Sequence, residues 1–214
     1  MEAAGRRIGV VSALVGIRRY RVRRHGAANH AGTTPMAMRR DAGAALIMLA
    51  AAIDAEFRRL AGSETVWNFG NMIFRPGAAN VVPGEGEMLV EFRDIKAEAM
   101  DRLEERFLAL IADANRGAVG IDVENIARVP PTALAKDLGA AIAAAAAARG
   151  EAPVHLPSGA GHDAMVAARF MPAAMMFIPS IGGISHDVRE NTADADIVFG
   201  CEVLADAVAR MRRR

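Results

Sequence analysis

Two amphipathic helical stretches set between alternating runs, and closed by Pro130-Pro131, restrict this 214-residue chain more than any other feature. Residues 17–25 place Ile17, Tyr20 and Val22 among arginines, the pattern of a strand with one wet face. Asp41 is set to cap a helix over 42–60, where Ala45, Leu46, Leu49, Ile53 and Phe57 recur at helical spacing. Strands are expected over 65–74, ended by Arg75-Pro76-Gly77, and over 88–93, entered through Pro83-Gly84. A second amphipathic helix spans 98–114, with Met100, Leu103, Phe107, Leu110 and Ile111 on one face, and a strand over 120–129 follows. The order β-α-β-β-α-β over 17–130 is that of a ferredoxin-like sandwich.

Beyond Pro130-Pro131 the pattern changes. The alanine-rich stretch 133–148 is a helix, because alanine is the best helix former. A glycine-rich turn, Pro157-Ser158-Gly159-Ala160-Gly161-His162-Asp163, leads into a helix over 164–169. Residues 171–178 are expected as a buried strand and 197–211 as a final helix. This is the last third of an α/β domain, with too few strands to complete a sheet.

With 52% apolar residues the chain can bury a real core, and a net charge of +1 gives no reason to invoke nucleic acid or an acidic membrane. The single Cys201 excludes an internal disulfide framework and fits a reducing cytoplasm. Arg6-Arg7 followed by the apolar run 8–17 imitates the start of a signal peptide, but no small-residue cleavage site follows and the run is too short to span a bilayer. The expected location is cytoplasmic.

Three segments carry candidate chemistry. In Ala28-Asn29-His30-Ala31-Gly32-Thr33-Thr34-Pro35-Met36, small and hydroxyl residues admit a ligand and His30 can donate to developing negative charge. The alternative is a strand-to-helix loop with a solvent-facing histidine. Asn80, in Asn80-Val81-Val82-Pro83-Gly84, offers an amide, and Arg93 a planar fork suited to a carboxylate; a turn asparagine and an exposed strand arginine are the plain alternative. Around Gly161 and His162, free amides at a helix start could hold an oxyanion, or merely cap the helix. A fourth segment, Ile184-Ser185-His186-Asp187-Val188-Arg189-Glu190-Asn191-Thr192, is expected as a strand end delivering one metal-ligand imidazole. His25, His30, His155 and His162 give no HxH or HxxxH companion, so His186 is one ligand of an incomplete site.

These segments, in this order, resemble the C-terminal half of the hydantoinase/carbamoylase family of amidases, within the M20 metallopeptidase superfamily. That group includes N-carbamoyl-L-amino-acid hydrolases, allantoate amidohydrolases and β-ureidopropionases. The resemblance implies an α/β catalytic domain interrupted by a ferredoxin-like dimerisation or lid domain at 17–130, with 1–16 ending one catalytic segment and 131–214 supplying the last. It implies two divalent ions, zinc or manganese, with His186 as a ligand. His30 would stabilise the substrate carbonyl or oxyanion, Asn80 and Arg93 would hold the substrate carboxylate, and Gly161 and His162 would line the pocket.

The family's HxD segment, bridging aspartate, Glu-Glu pair and HIEQG histidine have no counterpart here, and Glu91 stands where the family usually has aspartate. The expectation is therefore a mid-protein start, a homodimer through 17–130, and a chain inactive alone unless a separate polypeptide supplies the other half. The alternative is a non-catalytic dimerisation or carboxylate-binding module.

Overall fold

The computed structural model describes residues 1–212. Its strands are β1 (Gly9–Leu14), β2 (Gly16–His25), β3 (Asn29–His30), β4 (Val66–Arg75), β5 (Val81–Val82), β6 (Glu85–Asp94), β7 (Gly120–Val129), β8 (Thr132–Ala133), β9 (Val154–Ser158) and β10 (Met176–Phe177). The helices are α1 (Ala42–Leu60), α2 (Ala97–Ala114), α3 (Lys136–Ala148), α4 (Asp163–Ala167) and α5 (Asp194–Met211). The chain divides into two compact units: Gly16–Pro131, and Met1–Val15 together with the chain from Thr132 onward.

In the Gly16–Pro131 unit, four antiparallel strands lie in the order β4-β6-β2-β7. This is the sheet order of a ferredoxin-like β-α-β-β-α-β chain. Strand parity decides what is buried. On β2, Arg18, Tyr20, Val22 and Arg24 face the helices, whereas Ile17 shares the open face with Arg19, Arg21 and Arg23. Grouping Ile17 with Tyr20 and Val22 is therefore corrected, because residues an odd number apart point to opposite faces.

The Asp41 side chain accepts from Ala44 N at 2.9 Å and starts α1, whose Leu46, Leu49, Ile53 and Phe57 face the sheet. With Met88, Val90 and Phe92 of β6 and Met100, Leu103, Phe107 and Ile111 of α2 they form the core. Each such side chain contributes about 1.5–3 kcal/mol on burial. Aromatic pairs fix its centre: Tyr20 lies 4.7 Å from Phe107, and Phe57 5.1 Å from Phe92, between ring centroids.

The other unit is built around β1. Strand β9 runs parallel to it, and β8 and β10 pair with it antiparallel. Ile8 and Val10 pack with Ile142, Ala145 and Ala146 of α3 and Val203 and Ala207 of α5. Most of the apolar run that imitates a signal peptide, Gly9–Leu14, is thus the central strand of this unit, with Val10, Val11 and Leu14 buried. Helix α3 begins at Lys136 because Thr132 and Ala133 are drawn into pairing with β1. The expected strand over 171–178 contracts to Met176–Phe177, and the glycine-rich turn begins as strand β9. Among the described residues no helix is long and apolar enough to cross a membrane.

Candidate functional site

The two-residue ladder between β3 and β5 sets Asn29 opposite Val82 and His30 opposite Val81. Ala31 N donates to Asn80 O at 2.9 Å, so His30 and Asn80 stand side by side, both exposed. Gly32 N donates to His30 Nδ1 at 3.1 Å. A ring nitrogen that accepts carries no proton, so the neutral imidazole keeps its proton on Nε2 and presents a donor. The loop beneath is tied: Thr34 Oγ1 donates to His30 O at 2.7 Å, and Arg39 Nε to Thr34 O at 3.0 Å.

Arg93 lies on the open face near the opposite end of β6. Its Nε donates to Glu91 Oε1 at 2.7 Å, while the other oxygen of Glu91 accepts from Arg19 Nε at 2.6 Å. Burial alone would raise the Glu91 carboxyl, but these two guanidinium groups hold it below the ordinary glutamate range. The glutamate that departs from the family pattern is thus the group that aims Arg93. Arg93 is eight residue steps along β6 from Glu85, beside the His30 loop, which is roughly 27 Å of extended chain. One copy of this unit does not bring Arg93 together with His30 and Asn80.

In the β1-centred unit, His162 precedes α4, and its Nε2 lies 2.7 Å from the buried Ser158 Oγ, which also accepts from Ala160 N at 3.2 Å. The imidazole rests against Phe177, 5.7 Å between centroids. Sequence reasoning gives Ser158 no role; the four-residue spacing from His162 is the available signal. Gly161 is exposed, and a Cβ there would meet nothing within 4 Å.

His186 does not end a strand. It sits at φ 59° in a loop whose base is closed by Ile181 N to Asn191 O at 2.8 Å and Thr192 Oγ1 to Pro179 O at 2.9 Å. Strand β10 ends at Phe177 and a 3-10 turn over Ile181–Gly183 follows, so the loop rather than a sheet aims the imidazole. Glu190 accepts from His186 N at 2.8 Å, and Asp187 is held by Arg189, which keeps its carboxyl below the usual range. Among the described residues no group of three or more His, Cys, Asp or Glu could hold a metal ion. The residues present offer one imidazole and do not fit a complete metal centre.

The family model for peptidase family M20/M25/M40 matches residues 23–210. The chain is 36% identical over 209 residues to allantoate amidohydrolase of Escherichia coli (strain K12), covering 96% of this chain and 50% of that protein. It is 33% identical over 210 residues to N-carbamoyl-L-amino acid amidohydrolase of Geobacillus stearothermophilus, covering 97% and 51%. A crystal structure of an amidase of the hydantoinase/carbamoylase family from Burkholderia phymatum superposes with a TM-score of 0.88 at 42% identity, covering 98% of this chain and 51% of that one. The chain thus spans about half the length of the curated relatives it matches. On the extent of the family match, the chain belongs to peptidase family M20/M25/M40.

Proposed function

We propose that this chain is the substrate-clamping half of a metal-dependent amidohydrolase that cleaves the C–N bond of N-carbamoyl amino acids or related ureido acids such as allantoate or 3-ureidopropionate. The observation that carries this reading is the β3–β5 ladder, which sets an Nε2–H imidazole beside an asparagine amide. His30 donates to the carbonyl oxygen of the scissile group as it gains charge, a contribution of about 3–4 kcal/mol in comparable sites. Asn80 and Arg93 grip the substrate carboxylate, the first through its amide and the second through a fork oriented by Glu91. His162, held by Ser158, and the Gly161 backbone supply further pocket donors.

A divalent ion of the family's kind, zinc or manganese, would supply polarisation of the bond and activation of water. This chain contributes His186 to it, and the remaining ligands and the general base come from the other half of the protein, in the same polypeptide or a separate one. Residues 17–130 form the dimerisation unit. Its edge strand β4 leaves one row of backbone groups open for pairing, and the distance along β6 supports a shared site. A small ureido acid cannot reach His30, Asn80 and Arg93 of one copy across roughly 27 Å, so two copies complete each clamp.

The test uses the purified 214-residue chain with N-carbamoyl amino acids and manganese, alone and mixed with the N-terminal half of a relative. Turnover is expected only in the mixture and is lost on His186→Ala. With that N-terminal half present, mixing a His30→Ala chain with an Arg93→Ala chain should restore activity through hybrid dimers. Robust hydrolysis by the chain alone overturns the half-site reading, and failure of the hybrid to recover overturns the shared clamp.

A further inference from the structure

Arg24 is out of keeping with the charges around it. It points to the helix face of the sheet and is only 4% exposed. Its open-face neighbours Arg19, Arg21 and Arg23 all have carboxylate partners. Among the described residues none forms an ion pair with Arg24. One terminal nitrogen donates to Ala114 O at 3.2 Å, at the C-terminal end of α2, and among the described residues the buried Nε has no hydrogen-bond partner. A buried cation in this state is costly, because it has lost its water without gaining a counter-charge.

The same side chain lines a cavity of about 330 Å³ between α1 and α2. Met48, Leu49 and Ala52 of α1 and Leu110 and Ala114 of α2 form its apolar walls. The one other charged group on it is Asp113, at the rim, mostly exposed and paired with Arg116 at 2.9 Å. A pocket with one inner cation and apolar walls selects against a dianion, which would leave a charge unmatched beside Asp113. It also selects against a purely polar anion, which would gain nothing from Met48 or Leu110.

We propose that the α1–α2 groove is a second ligand site, separate from the His30, Asn80 and Arg93 groups, which binds a monocarboxylate with a short aliphatic tail. The carboxylate pairs with the Arg24 guanidinium, whose side chain lines the groove, and the tail lies along Met48 and Leu110. The shared chemistry is that of a free alkanoic acid or the aliphatic side of an N-acylated amino acid.

The probe is hexanoate titrated into the full 214-residue chain, followed through the Arg24 Nε–H resonance and the methyl signals of Met48 and Leu110. Saturable shifts of all three are expected at millimolar concentration, the order set by one charge-assisted contact and a small tail. Hexanamide, which lacks the charge, should bind at least about tenfold more weakly. N-carbamoyl-leucine is the second arm: competition with hexanoate assigns the site to acylated amino acids as well, and no competition restricts it to alkanoic acids. Arg24→Met should abolish the response. Because that change touches a buried position, Met48→Glu provides an independent variant: its site is 73% exposed, so the fold is kept while the anion is repelled. Unsaturable shifts, equal binding of hexanamide, or undiminished binding in Met48→Glu overturns the proposal.

Discussion

Glu104 shows how single residues hold the inserted unit together. Its buried carboxylate accepts from the Tyr20 hydroxyl and from Arg128, and Arg18 lies 3.4 Å from its other oxygen. Burial pushes the carboxyl up, but the hydrogen bonds from Tyr20 and Arg128 outweigh it and leave it below the ordinary range. The sign follows directly: the unfolded chain takes up this proton first, so the stabilisation is full above the ordinary value of 4.5 and is lost as pH falls through the lowered folded value. Glu104→Ala should cost about 3–5 kcal/mol in urea unfolding at neutral pH, because Arg18 stays buried without its partner. Loss of less than about 1 kcal/mol would show that Asp101, 3.5 Å from Arg18, compensates. None of this was legible in the sequence, where Arg18 passes for a wet-face arginine and its partner stands 86 positions away. His186 makes a second residue-scale case. Its φ of 59° is strained for any side chain, so His186→Gly should be more stable than His186→Ala by about 1 kcal/mol in thermal unfolding. Equal stabilities would mean that the loop relaxes around residue 186.

Among elements, helices α1 and α2 were plain from their apolar spacing, since each buries one stripe and leaves the rest wet. What joins them at the surface was not, because it depends on which turns face each other. Glu56 of α1 accepts from Arg59 on its own helix and from Arg106 of α2. These two bonds hold its carboxyl at about 2. Carbon-detected titration should find that midpoint in the native chain, and Arg106→Gln should move it back toward 4.5; no movement would leave Arg59 as the sole cause. Strand β1 was not assigned from sequence, because an apolar run beside basic residues looks alike whether it is an h-region or a buried central strand. The glycines were equally silent in sequence. A Cβ at Gly26 would lie 1.9 Å from Arg40 O, whereas one at Gly161 meets open space. Gly26→Ala should therefore destabilise the Gly16–Pro131 unit by about 1–3 kcal/mol, and Gly161→Ala should leave unfolding unchanged. A Gly161→Ala chain that unfolds early would mean that residue 161 is constrained by packing.

At the scale of the molecule, the candidate groups His30, Asn80, Arg93, His162 and His186 lie in loops or near strand ends. Their grouping was not legible, because whether Arg93 stands near His30 depends on how far Arg93 falls along the ten-residue β6 from the end beside β3. The two units also differ in how much apolar surface they bury. The Gly16–Pro131 unit has a core with Tyr20, Phe57, Phe92 and Phe107 in mutual contact. The β1-centred unit relies on alanines of α3 and small aliphatics of β1 and α5. It leaves Val166, Phe170, Met171 and Val198 more than half exposed, the kind of apolar surface that normally has a cover. Alanine buries little area, and burial scales with area, so each of these contacts stabilises less than an aromatic one. Among the described residues, moreover, strand β9 pairs only with β1 and leaves its far edge open. Native-state amide exchange should accordingly find two opening free energies. Amides of β2, β6, α1 and α2 should report the higher one, and those of β9, β10 and α5 one lower by a few kcal/mol. Adding the N-terminal half of a relative should raise protection in the second set alone, through cover of the exposed side chains. Uniform protection across both units, before any addition, would mean that they unfold as one.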